Sequence, residues 1–156
     1  MKLLFKQRIF SWLDSYDIYN EQNEVEYVVE GKFSWGHRLV IYDKYHQQIG
    51  EIKEEVFAFL PRFYMYEMGM EVGVIQKEFT FFRPKYHMTC HDWMIEGDYF
   101  EWDYEVIGES GRIMNVSKEI FHFSDTYVLD IVHDKDALHC LMIVLAIDAA
   151  KCSKGN

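Results

Sequence analysis

The sequence predicts a mainly β protein: a closed antiparallel barrel around one apolar C-terminal α-helix. Two observations predict it. From residue 1 to about 133, short aromatic and β-branched runs are separated by turn residues, the pattern of an all-β sandwich or barrel. From Ala137 to Lys151 there is no Gly or Pro, and Cys140 to Ile147 is apolar on every side. A helix without a solvated face must be surrounded. His139 and Asp148 bound the apolar run well short of the roughly 20 residues that cross a bilayer, so a protein sheath is expected around it. Closing the sheet on the helix also removes exposed strand edges.

At the N-terminus, Lys2, Lys6 and Arg8 break the apolar run before it reaches the length of a signal-peptide core, so no export signal is expected. Val25, Tyr27 and Val29 alternate with Glu24, Glu26 and Glu30, which puts apolar groups on one strand face and carboxylates on the other, with Val28 as the exception. Phe100, Trp102, Tyr104 and Val106 alternate likewise with Glu101, Asp103 and Glu105, and Tyr127, Leu129 and Ile131 with Asp130. Asn20 to Asn23, Asp43 to Gln48, the Gly69 region, Gly97-Asp98 and Gly108 to Gly111 offer turn residues, so hairpins are expected between strands. A weak echo links Ile52-Lys53-Glu54-Glu55-Val56-Phe57, Ile75-Gln76-Lys77-Glu78-Phe79 and Val116-Ser117-Lys118-Glu119-Ile120-Phe121; its unequal spacing fits a meander and excludes a solenoid period. Asp134 or Asp136 can cap the helix.

Pro61 and Pro84 are the only prolines and no low-complexity tract interrupts the chain, so one domain is expected over 1–156, with the barrel over about 1–133 and the helix over about 135–152. Sixteen basic residues against 26 acidic ones give a formal charge of -10, which repels phosphate polymers and excludes a general nucleic-acid binder. Cys90, Cys140 and Cys152 are too few and too widely spaced for a disulfide framework, and a reducing cytoplasm fits them best.

An ordered set of segments carries a family likeness: Tyr42-Asp43, a turn, Ile49-Gly50-Glu51-Ile52-Lys53, then Tyr64 and Tyr66, Val72-Gly73-Val74-Ile75-Gln76-Lys77, Ser124-Asp125-Thr126-Tyr127-Val128-Leu129-Asp130-Ile131, and the helix with Leu145-Ala146-Ile147-Asp148. Over most of its length the chain resembles the LURP-one-related family of the tubby C-terminal-like superfamily, which also includes the phospholipid scramblases. The resemblance implies a tubby-like closed barrel of roughly twelve strands threaded by the C-terminal helix. Tubby proteins bind phosphoinositide headgroups through a basic pocket and scramblases act at membranes, whereas LURP-one-related proteins lack an assigned activity. No tubby headgroup-binding residue aligns with this chain, so none is carried over.

Because the helix fills the barrel, recognition is expected on loops and outer surface rather than in a central pocket. Phe82-Arg83-Pro84-Lys85-Tyr86-His87 sets Arg83 and Lys85 beside aromatics in a loop, a combination that can hold a phosphate and enter a headgroup layer. Lys32 and Arg38, with His37, flank Phe33-Ser34-Trp35-Gly36 in a second such region. His87, Cys90 and His91, with Asp92 nearby, are weak candidates for metal ligands, because on a strand His87 and His91 share a face that Cys90 leaves. Glu101, Asp103 and Glu105 read as a solvated strand face. His122 and Ser124-Asp125 lack a nucleophile elbow, and no Gly-rich phosphate loop occurs, so neither a catalytic motif nor a cofactor is expected. Asp148 and His139 mark the two ends of the apolar helix and are expected to fix its depth.

The functional expectation is a non-enzymatic, cytoplasmic binding or scaffold domain, peripheral at the membrane if its ligand is a phospholipid headgroup. The alternatives are a protein-interaction module using Phe63-Tyr64-Met65-Tyr66 or Trp93-Met94-Ile95, and a hydrolase with a surface cleft.

Overall fold

The computed structural model describes residues 1–6, 14–121 and 124–153. Twelve strands are formed: β1 (Lys2–Phe5), β2 (Ser15–Tyr19), β3 (Val25–Gly31), β4 (Arg38–Asp43), β5 (Gln48–Glu54), β6 (Arg62–Glu67), β7 (Met70–Glu78), β8 (Lys85–Met88), β9 (Trp93–Asp98), β10 (Asp103–Gly108), β11 (Gly111–Phe121) and β12 (Ser124–Ile131). Each pairs antiparallel with its neighbours in sequence, and β1 closes the barrel on β12 in the register Lys2↔Asp130 to Phe5↔Tyr127. The expected barrel is therefore observed, with period-two burial on its inner face: Leu3 and Phe5, Phe63 and Met65, Trp93 and Ile95.

Inside runs α1 (Ala137–Ser153), entered through a 3-10 turn over Asp134–Asp136. From Cys140 to Ile147 no residue is more than 1% exposed, so the wall covers the helix on every side. Asp134 and Asp136 sit in that entry turn, where negative charge suits the helix N-terminus. Lys151 closes the other end by donating from Nζ to the Tyr99 carbonyl at 2.7 Å, its ammonium 4.4 Å from the centre of the Trp102 ring.

Because successive strands are antiparallel, their connections alternate between the two barrel ends. Connections after even strands are tight and use positive φ at Asn23, His46, Met68 and Asp92; register shifts near the ends of β2, β4, β6 and β10 bend the sheet at that rim. We call this the turn end; α1 begins there. Connections after β3, β5 and β7 are longer, and together with the β9–β10 connection they form the loop end, where α1 finishes.

One expected strand is formed only in its second half, as β10, and begins as a turn. Residues 99–102 lie between β9 and β10, and Gly97-Asp98 belongs to β9 instead of forming the turn itself. Trp102, at φ 55°, is buried because its ring lies 4.1 Å from Tyr127 and 6.2 Å from Phe5, while Phe100 points out at 65% exposure. The alternation there arises from side-chain stacking under a bent backbone.

Candidate functional site

The loop end concentrates the exposed aromatic residues. Phe33 and Trp35 stand on the β3–β4 loop, Phe57 and Phe59 on β5–β6, Phe79, Phe81 and Phe82 on β7–β8, and Phe100 on β9–β10. Phe57, Phe59 and Phe82 are 96%, 94% and 97% exposed, so these rings contribute nothing to the core. The turn end exposes only Tyr45, Met68, Met70 and Val132 as large apolar groups among the described residues. The β7–β8 loop is ordered internally, by a hydrogen bond from the Thr80 hydroxyl to the Arg83 carbonyl and an edge-on packing of Phe79 against Phe81.

All four cations singled out in the sequence stand at this end. Three have carboxylate partners: Lys32 Nζ is 2.8 Å from Glu30, Arg38 Nε 2.5 Å from Glu51, and Lys85 Nζ 3.0 Å from Glu96. The hydrogen bond between them raises the Lys32 ammonium pKa above its usual range and lowers the Glu30 carboxyl below its own. Arg83 is exposed and lines a groove of about 520 Å³ with Pro84, Asp98, Tyr99, Phe100 and Asp103. That groove therefore presents one cation, two carboxylates and an aromatic edge.

At the turn end, side chains from a turn, a strand end and the helix converge. Cys90 and His91 lie on the β8–β9 turn, Glu67 ends β6, and His139 stands in the first turn of α1. His139 Nε2 donates to Glu67 Oε2 at 2.9 Å, which leaves its Nδ1 as the lone-pair nitrogen. His91 Nε2 is 2.8 Å from that Nδ1, and Cys90 Sγ is 3.9 Å from it. Burial, then the neighbouring His139, lowers the His91 pKa, and burial raises that of the Cys90 thiol. Beside these groups is an open groove of about 720 Å³, lined by His91, His139, Glu109, Ser110, Lys135 and Asp136 among others.

His87 does not join them. Its Nε2 lies 2.5 Å from Asp92 and its Nδ1 3.8 Å from Glu78. Strand periodicity fails here because β8 ends at Met88, so Cys90 and His91 sit on a turn and reach the same partner. At the other end of the helix, Asp148 is buried, 3.6 Å from Lys151. Glu101 and Asp103 are exposed, and His122 lies outside the described residues. The two segments expected to serve as interaction surface are largely wall: Phe63, Met65, Trp93 and Ile95 are buried because they face the helix. Cys90, Cys140 and Cys152 form no disulfide.

Sequence reasoning missed Phe57, Phe59, Phe79, Phe81 and Phe100 as surface groups, and Glu67 altogether. A signal for the first set existed: both prolines close aromatic loops, in Phe57-Ala58-Phe59-Leu60-Pro61 and Phe81-Phe82-Arg83-Pro84, just before β6 and β8. Nothing in the spacing could bring Glu67 to His139.

A model of the LURP-one-related family matches residues 1–148. The chain belongs to the LURP-one-related family. This LURP-one-related chain is also 30% identical over 149 residues to the uncharacterized protein YxjI of Bacillus subtilis (strain 168), covering 95% of the chain and 92% of that relative. No solved structure matches it. The closed barrel with a central helix agrees with the tubby-like architecture expected for the family. Among the described residues, no helix is long and apolar enough to cross a membrane.

Proposed function

We propose that this LURP-one-related chain is a binding domain that docks its loop end into the interface of a phospholipid surface, with one headgroup seated at the Arg83 groove. The observation that carries this reading is the gathering of exposed Phe33, Trp35, Phe57, Phe59, Phe79, Phe81, Phe82 and Phe100 on four successive loops of one barrel end. Aromatic rings favour the boundary between headgroups and acyl chains, and exposed apolar groups gathered at one end support an interaction surface there.

The charges refine the ligand. Lys32, Arg38 and Lys85 are already paired with carboxylates, and the whole chain carries -10, so a polyanionic headgroup would find little net attraction. Arg83 suits a phosphate, while Asp98 and Asp103 suit the ammonium of the same headgroup. This favours a zwitterionic phospholipid, held mainly by apolar insertion, over a phosphoinositide.

Cosedimentation with phosphatidylcholine vesicles tests the reading. Burying a Phe side chain is worth roughly 1.5–3 kcal/mol, so Phe57→Ser with Phe82→Ser should lower partitioning by about tenfold or more. Arg83→Glu should weaken binding further, and added anionic lipid should not strengthen it. Failure of the unmodified chain to sediment, or sedimentation indifferent to these substitutions, would discard the proposal.

A further inference from the structure

We infer that Cys90, His91 and His139 form a binding site for one zinc-class transition-metal ion at the turn end of the barrel. Three ligand atoms, Cys90 Sγ, His91 Nε2 and His139 Nδ1, already lie within 4.8 Å of one another, although they come from positions 49 and 48 residues apart. In a tetrahedral zinc site, bonds of about 2.0–2.1 Å to nitrogen and 2.3 Å to sulfur place nitrogens about 3.3 Å apart and sulfur about 3.6 Å from nitrogen. The observed 2.8 Å and 3.9 Å differ from these by roughly half an ångström or less, within side-chain adjustment.

The surroundings are arranged as metal sites require. Glu67 holds the far nitrogen of His139, the carboxylate–histidine pairing that fixes the tautomer and leaves Nδ1 free to ligate. The His91 ring stacks on Trp93 with centroids 4.6 Å apart, which limits its rotation. The turn that carries Cys90 is fixed by paired backbone and side-chain bonds between Thr89 and Val74 and by the left-handed φ of 55° at Asp92. Gly73 makes room for it, since a Cβ there would lie 2.8 Å from Cys90 Cβ. Three protein ligands leave a fourth position, and His91 and His139 both border the groove of about 720 Å³, so that position takes water or a small donor entering from solvent. One thiolate with two imidazoles favours zinc or cobalt over calcium or magnesium.

The alternative is a plain hydrogen bond between the two imidazoles, and metal titration separates the two. The full chain, stripped with a chelator, should take up one zinc ion in competition with a chromophoric chelator. Its cobalt form should show the visible bands of four-coordinate cobalt together with a thiolate-to-cobalt charge-transfer band. Cys90→Ser should abolish that band, His139→Ala should abolish stoichiometric binding, and Glu67→Gln should weaken it about 10–100-fold. His87→Ala should leave binding unchanged, because His87 is engaged with Asp92. The unmodified chain supplies a check that does not depend on any variant folding: zinc should slow alkylation of Cys90 roughly tenfold or more, while exposed Cys152 reacts as before. No stoichiometric uptake, a cobalt spectrum without the thiolate band, or alkylation of Cys90 indifferent to zinc would overturn the inference.

Discussion

A Cβ on Gly50 would stand 2.6 Å from Cε of Met142, so β5 and the central helix meet where a hydrogen atom is all that fits. The same Cβ would lie 3.2 Å from Leu138 Cδ1. The Met142 methyl can swing away, so Gly50→Ala should cost about 1 kcal/mol, whereas the branched Gly50→Val should cost roughly 1–3 kcal/mol through overpacking. At this chain length each kcal/mol lowers Tm by about 2–4 °C, readable by circular dichroism. An unchanged Tm for Gly50→Val would mean that the helix is not seated against β5.

Leu145→Ala should lower stability by roughly 2–5 kcal/mol, because the side chain is enclosed on all sides and its cavity cannot fill with water. Phe82→Ala, which removes a larger ring, should stay within about 0.5 kcal/mol because that ring touches solvent. Urea denaturation of the two variants gives the comparison. Equal effects would contradict the assignment of one residue to the core and the other to the surface.

Gly97 is exposed yet should tolerate replacement poorly. Its φ is +138°, and an added Cβ would lie 2.5 Å from the Asp103 carbonyl oxygen and from Tyr104 Cα, backbone atoms that cannot rotate away. Gly111 has φ +120° but nothing within 4 Å of such a Cβ. Gly97→Ala should therefore cost at least about 2 kcal/mol, and Gly111→Ala only the conformational part, near 1 kcal/mol. Thermal melts showing the reverse order would refute the close approach at β9.

Alkaline pH should unfold the protein steeply. Burial raises the Tyr27 phenol from 10.0 to about 12 and raises Tyr16, Tyr86, Tyr99 and Tyr104 in the same direction. Above pH 10 the unfolded chain releases phenolic protons that the folded chain keeps. The stabilisation is therefore fully present below about pH 10 and is lost as pH rises through the folded values, by about 1.4 kcal/mol per pH unit for each retained proton. Denaturation midpoints across that range should fall accordingly, and Tyr27→Phe should flatten the slope by one proton; a midpoint independent of pH would contradict it.

The sheathed helix was legible because Cys140 to Ile147 leaves no polar side to face water, a constraint with few solutions. The Lys-Glu echo was also physical. Ile52, Ile75 and Val116 belong to β5, β7 and β11, and each echo runs out at the loop-end terminus of an odd strand. Period-two reasoning failed at Phe100, which is exposed, and at Cys90 and His91, where the chain turns; at Trp102 it gave the right burial off the strand, where the ring packs on Tyr127. Phe57, Phe59 and Phe81 were missed for a different reason: a ring on a loop and a ring in a wall have the same composition, and the prolines that close their loops, Pro61 and Pro84, were the one local cue. The meeting of His139 with Glu67 depends on barrel closure, a property of the whole sheet that no local window contains.

A ribosome delivers all twelve strands before it delivers the rod they enclose, and β1 has to wait for β12 as well. Until translation reaches Ala137, the nascent wall has greasy inner residues and nothing to cover them. Assembly is thus compelled to be a late, nearly single event, and the half-made chain is the stage most exposed to aggregation and most dependent on chaperones.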